Sequence, residues 1–326
     1  MASFRDILGY YRAYWTTSVL TVVASSGFEL LDLVVPYALG QILNTLSGQP
    51  LDGIIAGFIA RVSNLTGVPE GTNLSLGVLL GLVFVSTVIR APLQPWLGDW
   101  FHWDIALRSR RDHSQRVVEK ILTLPLSFYD ENNPGRIAGR VARGLSNHTW
   151  TYPDVAGDLI PKLVRIVGIF VVIWFVSRPI AIAFLASFII ILGFSLKKLS
   201  RLVRKETVID RYIENTESRT SEIVTNIKTV KAFAAEANEL QRQRLRMQRE
   251  LDVIIYRIHR GYTTLVTWQR LMVQTCMFLV LVFTLRATLQ GNITIGNFVT
   301  TLTVASIAYA ELSPIGQLAD RYLPSL

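Results

Sequence analysis

The stretch Leu124-Pro-Leu-Ser-Phe-Tyr-Asp-Glu-Asn-Asn-Pro-Gly-Arg136 decides how the rest of the chain is read. Pro125 disfavours helix at the residue before it, so the preceding helix is expected to end near Leu124. Asn133 can cap a new helix, and Pro134 suits the first helical position, where its missing N–H costs nothing. The result is a short polar and aromatic turn between two long helical patterns. Basic helical arms on either side separate it from runs of apolar residues long enough to span a membrane. A turn carried that far out of a bilayer reads as a contact point and not as a linker.

The composition supports the membrane setting. Of 326 residues, 50% are hydrophobic and 17% charged, and the mean hydropathy is +0.36. That places the chain among all-α integral membrane proteins. A net charge of +9 would suggest nucleic acid for a soluble protein, but here the basic residues lie between apolar spans, where they set topology instead. No nucleic-acid partner is expected. The single cysteine, Cys276, excludes a disulfide framework or cysteine metal cluster within the chain. Residues 1–14 lack a small-residue cleavage site after a short apolar core. They read as an amphipathic helix in the membrane interface.

Six spans are expected, at about 15–46, 76–101, 158–176, 179–194, 262–289 and 295–319, each close to or above the roughly 20 residues that cross the hydrocarbon core. Pro92 and Pro95 should kink the second. The connections alternate in character. Residues 47–75 hold one basic residue, Arg61, and the turns near Arg178 and Gly291 are short. In contrast, 102–150 and 195–261 are rich in arginine and lysine, which places both large loops and both termini in the cytoplasm. Apolar residues recur among the charges over 104–122 and 236–258, so the spans should continue as solvated helices. Some 20 extra residues would project roughly 30 Å beyond the membrane. A second turn is expected near Asn215 to Ile223.

Together, Leu126-Ser-Phe-Tyr-Asp-Glu-Asn-Asn-Pro-Gly-Arg-Ile137 and Ile227-Lys-Thr-Val-Lys-Ala-Phe-Ala-Ala-Glu236, in this order and on this topology, resemble the transmembrane domain of an ABC exporter over essentially the whole chain, 1–326. One departure is Arg140-Val-Ala-Arg-Gly-Leu-Ser-Asn147, where that family often carries an Asn-Asp pair. The resemblance implies two coupling helices that dock an ABC ATP-binding domain. Phe128, Tyr129, Glu131 and Asn132 would contribute in the first loop, Arg219 and Glu222 in the second. It also implies a second transmembrane half, as homodimer or heterodimer, and alternating access driven by ATP and Mg2+. The sequence contains no Gly-x-x-x-x-Gly-Lys-Ser/Thr loop. The nucleotide would therefore bind an ATPase domain outside this stretch, either truncated from it or a separate polypeptide. No catalytic or metal-binding motif is present, and the four histidines (102, 113, 148, 259) fall in cytoplasmic or interfacial stretches. For Phe128 and Tyr129 the alternative is packing on their own hairpin.

Charges inside the spans carry the remaining signal, because they usually face a cavity or a partner. Glu29 and Asp32 share a helical face in the first span, and Arg90 lies at comparable depth in the second, which suggests an intramembrane ion pair. Lys162, Arg165 and Arg270, beside Trp268 and Gln274, either line a substrate cavity or extend toward lipid headgroups. A cavity with those charges and Trp268 would favour an amphiphile with an anionic head. Lipid-linked molecules and hydrophobic drugs both fit an exporter of this kind, in a plasma (inner) membrane. Two other classes are compatible with the sequence: an ion-coupled secondary transporter using Glu29, Asp32 and Arg90, and a membrane scaffold or regulatory subunit.

Overall fold

The computed structural model describes residues 14–131, 137, 141, 144–145, 149–150 and 152–312, with backbone alone for 130–131, 207–212 and 214. Among the described residues every regular element is helical. The expected interfacial helix at 1–14 lies outside them except for Tyr14, whose hydroxyl donates to Asp112 Oδ2 at 2.7 Å. The helices are α1 (Trp15–Leu46), α2 (Gly53–Thr66), α3 (Thr72–Leu122), α4 (Leu126–Glu131), α5 (Pro153–Val176), α6 (Arg178–Thr225), α7 (Ile227–Ala232), α8 (Glu236–Leu289) and α9 (Ile295–Ala310). Five segments, in α1, α3, α5, α6 and α8, are long and apolar enough to cross a membrane. Where the sixth span is expected, α9 supplies 16 residues.

Two compact units divide the chain: residues up to Ala186 with Cys276–Leu312, and Ser187–Thr275. In the first, α1, α2 and α3 share an apolar core of Ala38, Ile55, Ile59 and Leu79. The helix α2 is a correction to the reading of 47–75 as a plain connection. Its apolar residues recur at 54, 55, 58, 59, 62 and 65, a helical period confined to 14 residues and so too short to register as a span; Ile55 and Ile59 are the buried ones. Gly67 then ends it in the left-handed conformation, φ 71°.

Against each other, α1 and α9 pack at backbone distance. A Cβ on Gly296 would lie 1.9 Å from the carbonyl oxygen of Gly40, and one on Gly40 would lie 2.5 Å from that of Gly296. Small residues permit such approach where lipid supplies no hydrophobic drive between helices. Polar side chains complete the seam. Asn44 Oδ1 accepts the Gly296 N–H at 2.8 Å, and Asn297 Nδ2 donates to Asp52 Oδ1 at 3.1 Å. Gln41, fully buried, donates to Asp52 Oδ2 at 2.8 Å while its carbonyl accepts the Asp52 N–H at 3.0 Å.

Proline acts on α3 by widening rather than breaking it. Turns of i→i+5 type occur at Val85–Ile89 and Pro95–Trp100, flanking Pro92 and including Pro95. A wider turn relieves the clash between the ring and the preceding carbonyls. The same device occurs at Pro153–Leu159, which carries α5 five residues upstream of the expected start of its span. Asp32 and Leu33 interrupt α1 for two residues.

In the second unit α6 runs on past residue 194 without a break to Thr225. The turn expected at 215–223 is therefore helix. No Gly or Pro interrupts it, and the Arg219–Glu222 pair one turn apart supports the helix there; the chain reverses later, through α7 and an Ala234 held at φ 45°. Leu199, Leu202, Val203 and Leu265 form the apolar contact between α6 and α8. Farther along, Gln243 Nε2 donates to Thr220 Oγ1 at 2.6 Å.

Candidate functional site: hairpin tips, intramembrane charges and a basic cavity

At the first tip, α3 ends at Leu122, two residues before Leu124, and α4 follows Pro125 directly. Tyr129 donates its hydroxyl to the Ile121 carbonyl, and its ring meets Phe128 edge-on with centroids 5.5 Å apart. Both aromatics are half-buried, whereas Leu126 is 83% exposed. Tyr129 thus buttresses the turn, and the apolar surface facing outward belongs to Leu122 and Leu126. The side chain of Glu131, and Asn132 with the Asn133-Pro134 cap, lie outside the described residues. At the second tip, Arg219 and Glu222 form an exposed pair at 2.7 Å one turn apart, and Phe233 is 80% exposed. Glu236 opens α8. Its carboxyl is held below the usual carboxylate range first by its own backbone N–H and then by Lys231, 3.0 Å away.

Of the two acids expected to face Arg90, Asp32 is the one that pairs with it, and Glu29 pairs elsewhere. Arg90 embraces Asp32 with both terminal nitrogens, Nη2 to Oδ2 at 3.0 Å, and Gln94 Oε1 accepts from Nε and Nη2 at 3.0 and 2.7 Å. Glu29 pairs instead with Arg165, 2.9 Å from Nη1, and Glu311 approaches the same nitrogen at 3.4 Å. Side-chain exposures of 17%, 19% and 13% for Arg165, Glu29 and Glu311 make this a buried cluster. Arg165 therefore has its charge satisfied within the protein, and Lys162 pairs with Asp158 at 3.3 Å. Glu311 lies within the expected sixth span and was passed over there; its proximity to Arg165 exists only once α5 and α9 pack. Trp268, Arg270 and Gln274 lie on α8 in the second unit, all exposed, with the neighbouring Gln269 buried.

Between α6 and α8 in that second unit is a cavity of about 370 Å³. Lys198, Arg201, Lys205, Arg257 and Arg260 line it, together with Trp268. Read along the sequence, these five cations serve only as cytoplasmic markers. The spacing 198, 201, 205 and 257, 260, 264, 268 was the available signal that they share two facing stripes.

These elements define a helical membrane protein whose spans extend into arms ending in short helices. The family model of the ABC transporter transmembrane region matches residues 18–311. The chain belongs to that family. It is 23% identical over 308 residues to an ATP-dependent lipid A-core flippase of Aromatoleum aromaticum, and 24% identical over 311 residues to one of Pseudomonas putida, with 90% of this chain and 50% of each relative covered. An uncharacterized ABC transporter ATP-binding protein of Bacillus subtilis is 20% identical over 98% of this chain and 51% of that protein. The chain thus spans about half the length of the curated relatives it matches. Among solved structures, a bacterial Atm1-family ABC exporter with ATP bound superposes at a TM-score of 0.72, with 17% identity over 97% of this chain and 51% of that one.

Proposed function

We propose that this chain is the membrane-spanning half of an ATP-driven exporter that moves an amphiphile outward by alternating access. The observation that carries this is the pair of long helical arms, each closed by a short helix, in a chain of this family. A continuous helix transmits displacement over its length, whereas a flexible loop would dissipate it. ATP and Mg2+ would bind an ABC ATPase domain docked at the tips, and a second transmembrane half would complete the path. The arms and both termini would lie in the cytoplasm, since they carry the excess of arginine and lysine. A lipid-like cargo is supported by the relatives named as lipid A-core flippases.

The docking surface would be Leu122 and Leu126 at the first tip, with Phe128 and Tyr129 shaping it, and Arg219, Glu222 and Phe233 at the second. In the complete transporter, Phe128→Ala with Tyr129→Ala should lower cargo-stimulated transport at least tenfold, on the order of 1.4 kcal/mol of coupling, while expression and basal ATPase persist. Full cargo-stimulated transport in that double variant would overturn the docking assignment.

A further inference from the structure

Phe194, Lys198, Arg201 and Lys205 follow one another on α6 at intervals of three or four residues, with Leu202 beside Arg201, so they form one face. Opposite, Tyr256, Arg260, Thr264 and Trp268 do the same on α8, with Arg257 beside them. What lets the two faces enclose a cavity is close contact at one level. A Cβ on Gly261 would lie 2.4 Å from Leu202 Cδ2, and Tyr262 donates to Glu206 Oε2 at 2.8 Å. Because the helices run antiparallel, Phe194, Leu265 and Trp268 mark the end nearest the apolar spans. Lys205 and Arg257 mark the other end, about 16 Å away along α6. The cavity is therefore apolar toward the membrane and basic away from it.

Among the described residues the charge within it is uncompensated. No side chain of Lys198, Arg201, Lys205, Arg257 or Arg260 has an ion pair or hydrogen bond among the described residues. Of the described carboxylates close in sequence, Glu206 accepts from Tyr262 and Asp252 from Gln248. Five exposed cations crowded on two facing stripes repel one another, and an anion with several acceptor oxygens relieves that repulsion. An i→i+5 turn at Ile254–His259 lies where Tyr256 and Arg257 enter the cavity wall; such turns recur at ligand sites.

The geometry points to a binding site for the phosphate of an anionic phospholipid, with the headgroup among the five cations and the upper acyl chain along Phe194, Leu265 and Trp268. Basic clusters just beyond a span on the cytoplasmic side attract such headgroups. This rests on the exporter reading only for which leaflet supplies the lipid; the site itself needs no transport.

The test uses the complete transporter in nanodiscs of neutral phosphatidylcholine, titrated with short-chain phosphatidylglycerol, with short-chain phosphatidylcholine, or with inorganic phosphate. Binding is read by thermal stabilisation and by lipid retained in native mass spectrometry. Phosphatidylglycerol should stabilise and be retained. Arg201→Gln with Arg257→Gln and Arg260→Gln should weaken that binding about tenfold or more, and Arg201→Lys with Arg257→Lys and Arg260→Lys should retain most of it. All three positions are exposed, so the variants keep the helical contact intact. Equal binding of phosphatidylcholine, or unchanged phosphatidylglycerol binding in the glutamine variant, would overturn the site. Inorganic phosphate matching the full effect would overturn the lipid as its source. Loss of transport in the Phe128 and Tyr129 variant with lipid binding unchanged would separate this site from the exporter mechanism.

Discussion

Arg165 holds two carboxylates, Glu29 and Glu311, while Asp32 has Arg90 to itself. By formal charge, three acids face two guanidinium groups, one negative charge in excess. The two sides of the cluster should then respond unequally to substitution. Glu29→Gln removes the excess charge and should cost little. Arg165→Met leaves two buried carboxylates with no partner and should cost about 3–5 kcal/mol, read as thermal stability in detergent. Equal losses for the two variants would refute this account. For Arg90 the expected outcome is that Arg90→Met destabilises more than Arg90→Met combined with Asp32→Asn. The presence of intramembrane charge was legible in the sequence, because an ionisable residue in an apolar run is conspicuous by itself. The pairing was not. Glu29 and Asp32 share a face at similar depth, and choosing between them for Arg90 requires the packing of α1, α3 and α5.

Among the elements, those announced by a long apolar period were readable, and those depending on a turn or a short face were not. The arms at 104–122 and 236–258 followed from their repeats, whereas α2 and the continuation of α6 did not. The turn after α6 offers a test. Ala234 sits in the left-handed region, which costs a non-glycine residue about 1–2 kcal/mol. Ala234→Gly should therefore raise the thermal midpoint of the hairpin region, detectable by slower proteolysis at that turn. Lys231 and the first backbone N–H of α8 favour ionised Glu236 at the same place. Its folded pKa lies below the ordinary value of about 4.3, so that contribution is present above it and lost as pH falls through the folded value. Proteolysis at this turn should accelerate at acidic pH and remain flat between pH 6 and 8. At the seam of α1 and α9, Gly296→Ala drives a methyl into backbone, where nothing flexible can yield. It should destabilise by about 1–3 kcal/mol, whereas Gly77→Ala, with open space around it, should not.

Taken whole, the molecule was most legible where topology and motif coincide: two large basic loops, each with a turn far from the spans, point to one family architecture. It was least legible where distant parts of the chain create a site. The basic cavity is made of residues whose charges already had a sufficient explanation as topology markers, so nothing in the sequence required a second one.

The seam between α1 and α9 also sets an order for making the protein. Asn44 and Gly296 are separated by 252 residues. At about 5–20 residues per second, the ribosome needs roughly 13 to 50 s to deliver the second after the first. Through that interval Asp52, Tyr37 and Gln41 can satisfy one another locally, with contacts of 2.8 to 3.1 Å. Asn44 Oδ1 instead takes its partner from Gly296, so it gains that hydrogen bond only when α9 arrives. A nascent chain halted before residue 295 therefore presents a polar mark in the membrane that the finished one hides. Membrane quality control could read that mark to tell an unfinished transporter from a complete one.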